Sequence, residues 1–186
     1  MEQITRFKDI PKFISCGGWA CDFGLDYVTK YIEESLRMEN SSLPPLQMNP
    51  DFQRGHVWTD EQQVAYIEFL LRGGNSGRDM YFNCPSWHDP VEPGAYNEFV
   101  CVDGLQRLTA IKRFMHDEIR VFGSKYSDFT DSLRLTNTVR LHVNDLKTKA
   151  EVLQWYLEMN AGGTPHSKDE IQRVQHLLDE ENSHTK

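Results

Sequence analysis

The sequence predicts an α+β fold, a small mixed sheet packed with helices, and three observations carry that expectation. Apolar residues recur every three or four positions in several stretches, the spacing of a helix with one buried face. Between them stand short runs rich in β-branched and aromatic residues, bounded by Pro, Gly, Asn and Asp, which is the pattern of strands. The chain is also long enough to gather these elements around a core, with 186 residues, 39% of them hydrophobic, and ten Phe, seven Tyr and four Trp. A fold of this size buries roughly 70% of its unfolded surface, so neither a disulfide nor a structural metal is needed for stability.

Taken in order, a first helix is expected over about Leu25 to Met38, where Leu25, Val28, Ile32 and Leu36 share one face. Ser41, Ser42, Pro44 and Pro45 end it. An extended Leu46 to Met48 leads into the segment Asn49 to Trp58, too polar and too rich in turn formers to be a strand. Thr59 and Gln62 make a T-x-x-Q capping box for a second helix, which turns Val64, Ile67 and Leu71 inward and stops at Gly73 and Gly74. Strands follow at Met80 to Cys84 and Phe99 to Val102, separated by a loop carrying Pro85, Pro90, Pro93 and Gly94. A helix to about His116 buries Leu108, Ile111, Phe114 and Met115, and two more strands are expected at Ile119 to Phe122 and Thr138 to Val143. A helix from about Lys149 to Met159 has Val152, Leu153, Tyr156 and Leu157 as its apolar face. The run Asn160 to Pro165 then breaks the chain, and Ser167 with Glu170 forms a capping box for a last helix. No repeat or linker divides residues 1–186, which read as a single domain: a helical N-terminal extension to about residue 43, a core over about 44–178 and an acidic tail, 179–186, that frays.

The charge balance is acidic: 20 Lys+Arg against 28 Asp+Glu leave −8. Coating DNA by bulk charge is thereby disfavoured, because non-specific affinity comes from cations neutralising phosphates, so a DNA partner requires a local basic patch. Arg107, Lys112, Arg113 and Arg120 offer one, although a solvated helix face explains them equally well. No apolar run approaches the ~20 residues of a membrane span. The N-terminus lacks the basic-then-apolar order of a signal peptide, so a cytoplasmic location with reduced thiols is expected. Cys16, Cys21, Cys84 and Cys101 form no C-x-x-C pair and have no His at zinc-ligand spacing, and Cys101 reads as a small buried hydrophobe.

The chemistry concentrates in Asp103-Gly104-Leu105-Gln106-Arg107-Leu108-Thr109, a strand-to-helix turn. Gly104 permits a tight turn, and the amides that follow open a helix whose N-terminus carries roughly half a positive charge, an arrangement that binds phosphate. Arg107 adds a permanently charged planar donor set, and Asp103 is placed to hold magnesium or to orient an attacking hydroxyl. The bland alternative makes Asp103 the N-cap, Gln106 its capping partner and Arg107 a surface residue paired with an acid. The segment Phe52 to Trp58 is the second candidate. Arg54 supplies another cation and Gln53 a group that can read a base or ribose, while His56 either transfers a proton or is merely solvated. Trp58 reads first as a plug or staple beside the Thr59 cap. Asn160 and Thr164 either close the site over the flexible Gly162 and Gly163 or simply mark the end of a helix.

Taken together, F-Q-R-x-x-V-W at Phe52 to Trp58, V-D-G-L-Q-R-L-T-A at Val102 to Ala110 and N-A-G-G-T from Asn160 resemble the N-terminal domain of GmrSD-type modification-dependent restriction enzymes, within the ParB/sulfiredoxin-like superfamily. The resemblance covers about residues 40–178. The family pattern is D-G-Q-Q-R, and Leu105 stands where it has its first Gln; sulfiredoxins carry their reactive Cys there, which disfavours sulfinic-acid repair in this chain. The resemblance implies a ParB/sulfiredoxin-like fold and a nucleoside triphosphate substrate with magnesium, hydrolysed or used as phosphate donor in a DNA-related process. On that reading Asp103, Gln106 and Arg107 are catalytic, with Asp103 the magnesium ligand. Gln53, Arg54, Gly104, Leu105, Thr109 and Asn160 hold the nucleotide, and His56 serves proton transfer. The restriction enzymes cut with a separate His-Asn-His nuclease domain, for which 186 residues leave no room, and short relatives of this kind resemble proteins of tailed bacteriophages. A non-catalytic nucleotide- or DNA-binding regulator that keeps the fold is the competing expectation, and direct nuclease action ranks below both.

Overall fold

The helical periodicities and the β-rich runs assemble into one five-stranded mixed sheet with helices on both faces. The computed structural model describes residues 3–10, 18–37, 43–53, 55, 57–133, 137–161 and 168–184. The strands are β1 (Trp19–Gly24), β2 (Leu46–Gln47), β3 (Asp79–Asn83), β4 (Phe99–Asp103) and β5 (Thr138–Asn144). Their spatial order is β1-β5-β3-β4-β2, with β1/β5 and β3/β4 antiparallel and β3/β5 and β2/β4 parallel. The helices are α1 (Leu25–Arg37), α2 (Asp60–Leu71), α3 (Leu105–Met115), α4 (Lys149–Ala161) and α5 (Lys168–His184). The fold class is therefore α+β, consistent with a ParB-like architecture.

Alternation along the strands divides the core in two, because successive side chains point to opposite faces of a sheet. On one face Met80, Phe82, Phe99, Cys101, Leu141 and Val143 pack with Val28 and Ile32 of α1, Ile67 and Leu70 of α2, and Leu108, Ile111 and Phe114 of α3. On the other, Val100 and Val102 meet Val152, Leu153 and Tyr156 of α4 and Val174 and Leu178 of α5. Thr59 caps α2 through the full reciprocal box with Gln62, as its sequence spacing indicates. The buried face of α2 is rotated slightly from the expected one: Gln63, Tyr66, Ile67 and Leu70 are buried, while Val64 and Leu71 are only partly so. No helix among the described residues is long and apolar enough to cross a membrane.

Four expectations are corrected. The N-terminal extension is not purely helical, since β1 precedes α1 and pairs along its whole length with β5. Its sequence hides it because it is an edge strand on which only Phe23 is buried. Ile119 to Phe122 is not a strand: Phe122 and Gly123 both adopt positive φ, 52° and 81°, and turn the chain back so that Val121 bridges only to Ser124. Asn160 and Ala161 continue α4 rather than breaking it. Helix α5 likewise runs past Leu178 to His184, so residues 179–184 are helical where a loose tail is expected. The expected helix end at 38–42 and the cap at Ser167 lie outside the described residues.

Candidate functional site

The β4–α3 turn carries the site because it has to change direction within one residue. Gly104 takes φ 135°, a conformation that L side chains rarely adopt, and a Cβ there would lie 3.0 Å from that of Met80. Gly104, not Asp103, is the N-cap of α3, so the capping alternative for Asp103 does not hold. The first amides of α3 have no intrahelical acceptors, as at any helix start. Arg107, one turn in, pairs with Asp103 at 2.7 Å; Arg107 is 17% exposed and Asp103 47%.

This turn forms one wall of a cavity of about 670 Å³. Trp58, Tyr66 and Phe69 line the side built by α2, and Tyr156, Met159 and Asn160 line the side built by α4. Trp58 meets Tyr66 edge-on, with ring centroids 5.5 Å apart, so it packs on α2 while standing on the cavity wall. Burial holds the Tyr66 phenol well above its ordinary range, with the Arg107 charge opposing, and its hydroxyl donates to the Gly77 carbonyl at 2.8 Å. The phenol is therefore a fixed donor and not a proton acceptor.

The two glutamines of the motifs act as a clamp between them. The Gln53 amide nitrogen donates to the carbonyls of Cys101 and Val102 at 2.5 and 2.7 Å. In the other direction Gln106 Oε1 accepts from the amides of Val57 and Trp58 at 2.9 and 3.1 Å, while its Nε2 donates to the Gly55 carbonyl at 3.2 Å. Gln106 is thus not a capping-box partner but ties the turn to the 55–58 backbone from the cavity wall, and Gln53 spends its donors on β4. The same loop is tied from behind by Arg173, which donates to the carbonyls of Asp51 and Phe52 at 2.9 and 3.0 Å, and by Lys149 on Asp51 at 2.7 Å. No local signal in the sequence announces Arg173, because its acceptors are backbone atoms about 120 residues earlier.

The other expected site residues are distributed unevenly. Gly104, Leu105, Arg107 and Asn160 stand on the cavity wall. Asn160 donates its amide to the Tyr156 carbonyl at 2.7 Å. Thr109 faces away: its hydroxyl donates to the Leu105 carbonyl at 2.8 Å, and it borders the separate apolar hollow between α1 and α3. Arg54, His56 and Thr164 lie outside the described residues. Lys112 pairs with Glu33, Arg113 with Asp60 and Glu118, and Arg120 with Asp128, so these three cations sit among acids. Burial pushes the Cys101 thiol up to about 12, which keeps it a neutral hydrophobe under the turn.

With the clamp between the two motifs established, the comparison with protein families becomes decisive. The family model described as GmrSD restriction endonuclease, N-terminal domain, matches residues 32–132, more than half of the chain. The chain belongs to the GmrSD N-terminal domain family. Membership connects it with a restriction- or defence-related DNA process. Comparison with curated proteins and with solved structures gives no match. The matched span holds both clamped motifs, whereas the GmrSD-like core is completed by β1, β5, α4 and α5 from outside it.

Among the described residues no group of three His, Cys, Asp or Glu is arranged to hold a metal. A magnesium ion carried by a phosphate ligand would need only one or two protein carboxylates. Asp103, half exposed at the cavity mouth, offers one.

Proposed function

We propose that this cavity binds a nucleoside triphosphate with its magnesium ion and hydrolyses or transfers the terminal phosphate, within the restriction-related process that family membership indicates. The observation that carries this reading is the position of Arg107: a mostly buried guanidinium at the start of α3, on the wall of a cavity otherwise flanked by aromatic rings. Such a site matches the two halves of a nucleotide, a flat base and a polyanion. A charge-assisted bond from Arg107 contributes about 1.5–3 kcal/mol, more than the roughly 0.3–1 kcal/mol of a helix N-terminus. An entering phosphate would compete with Asp103 for Arg107, and the freed Asp103 carboxylate would hold a magnesium ion, which would supply charge neutralisation to the phosphate oxygens. Positioning and charge stabilisation are the main demands of phosphoryl transfer. Gln53 and Gln106 contribute by tying Gln53, Gly55, Val57 and Trp58 to β4 and the turn.

The competing reading, a nucleotide- or DNA-binding regulator without turnover, is favoured by Leu105 and by the employment of both motif glutamines in scaffolding. Thermal shift with ATP, GTP, CTP and ADP in magnesium, followed by phosphate release with and without DNA, separates the two. Stabilisation with release supports the enzyme, and stabilisation with neither release nor transfer supports the regulator. Absence of stabilisation by any nucleotide, or full binding by Arg107→Ala, overturns the site.

A further inference from the structure

Two helices meet the cavity with opposite termini, and they come from opposite faces of the sheet, α3 from one and α4 from the other. Helix α3 begins on the wall at Leu105 with Arg107 one turn in, so that wall offers positive charge and N–H donors. Helix α4 finishes there: Tyr156, Met159 and Asn160 stand on the wall within its last two turns. The final carbonyls of a helix have no intrahelical donor and carry partial negative charge. Among the described residues none in the last turn of α4 is basic, so no side chain there offsets that charge.

Asn160 decides what the α4 wall asks of a ligand. Its amide lies 2.7 Å from the Tyr156 carbonyl of its own helix, and a carbonyl only accepts, so the atom turned inward is Nδ2. The two polar atoms of a planar amide diverge. Oδ1 therefore faces away from the helix backbone, and the half-buried Asn160 presents it on the cavity wall. Met159 beside it adds a thioether, a weak acceptor. Tyr156 is buried edge-on against Phe52 and adds ring surface. A ligand on this wall is met by lone pairs and has to bring the hydrogens itself.

Resting on the nucleotide reading of this cavity, we infer that the α4 wall reads the base and selects bases with an exocyclic amino group, Asn160 Oδ1 accepting from N6 of adenine or N4 of cytosine. The triphosphate is drawn to Arg107 and the start of α3, while the electron-rich end of α4 repels phosphate and takes the other half of the nucleotide. A volume of about 670 Å³ is that of an ordinary small-molecule site and holds both halves at once. Hypoxanthine and uracil carry a keto oxygen where adenine and cytosine carry the amino group, which sets acceptor against acceptor at Asn160.

The test measures the affinity of two matched pairs, ATP against ITP and CTP against UTP, in magnesium by calorimetry, for the wild type and for Asn160→Leu. Each pair shares its sugar and triphosphate and exchanges the amino group for a keto oxygen. The wild type is expected to bind ATP and CTP about tenfold more tightly than ITP and UTP, the scale of one hydrogen bond exchanged for an unmatched acceptor pair. In Asn160→Leu the preference within each pair disappears while ITP and UTP bind as they do to the wild type. A ratio taken within one protein is independent of the folded fraction, so a loss of stability in the variant does not imitate this result. Equal affinity within both pairs in the wild type, or an undiminished preference in Asn160→Leu, overturns the inference while leaving the nucleotide site standing. If none of the four binds the wild type, the site itself fails and the inference falls with it.

Discussion

Gln106 provides the sharpest test, because its sequence position suggests catalysis and its contacts specify a clamp. Gln106→Ala removes three hydrogen bonds, those to the Val57 and Trp58 amides and to the Gly55 carbonyl. At about 0.5–1.5 kcal/mol each, the ceiling is roughly 4.5 kcal/mol. Val57 and Gly55 are exposed and rehydrate, whereas Trp58 is partly buried, so the expected loss is about 1–2 kcal/mol. For a chain of this length that corresponds to a fall in Tm of roughly 2–8 °C. The assay is urea unfolding followed by Trp fluorescence, with the m-value as a check that the denatured state is unaltered. Gln106→Glu is the informative partner, since its carboxylate still accepts from both amides but sets its second oxygen against the Gly55 carbonyl, acceptor to acceptor, where the amide donates. It should fall between wild type and Gln106→Ala in stability while weakening nucleotide binding by placing a negative charge beside the proposed phosphate end of the cavity. An unchanged urea midpoint in Gln106→Ala refutes the clamp.

Three further outcomes are expected. Gly104→Ala forces a Cβ into φ 135° and against Met80, so it should cost more than ~1 kcal/mol and abolish the nucleotide thermal shift, both read from one melting series. Phe114→Ala empties a fully buried site between Tyr126 and Phe129 and should lower stability by about 3–5 kcal/mol in urea titration, without altering nucleotide affinity per folded molecule. The Cys101 thiol is raised from 9.0 to about 12 by burial, so the folded state favours its protonated form. Its contribution to stability is then fully present below pH 9.0 and is lost as pH rises toward 12. Alkylation at pH 8 with peptide mapping should mark the exposed Cys21 and spare Cys101.

The parts of the fold that were legible share a physical basis in local interactions. Helix α2 could be read from the Thr59–Gln62 spacing and α3 from Gly104 and the recurrence of Leu108, Ile111 and Phe114, because both depend on groups within a turn or two of one another. Strand β1 was not legible: its hydrogen-bond partners on β5 lie more than 110 residues away, and an edge strand need not alternate. The Ile119 to Phe122 run has the composition of a strand but reverses at Phe122 and Gly123, where no neighbouring strand extends the pairing.

The site divides along the same line. The sequence by itself determined that Gly104 turns the chain, that Arg107 stands one helical turn beyond it and that the chain bears the two motifs of its family, since these depend on residue type and short spacing. Tertiary contact alone settled that Gln53 and Gln106 join those motifs to each other, that Thr109 points away, and that His142 meets Asp79 and Tyr81. Those roles belong to pairs of groups, and a side chain's hydrogen-bonding capacity is written in its identity while its partner is chosen only when distant strands come into register.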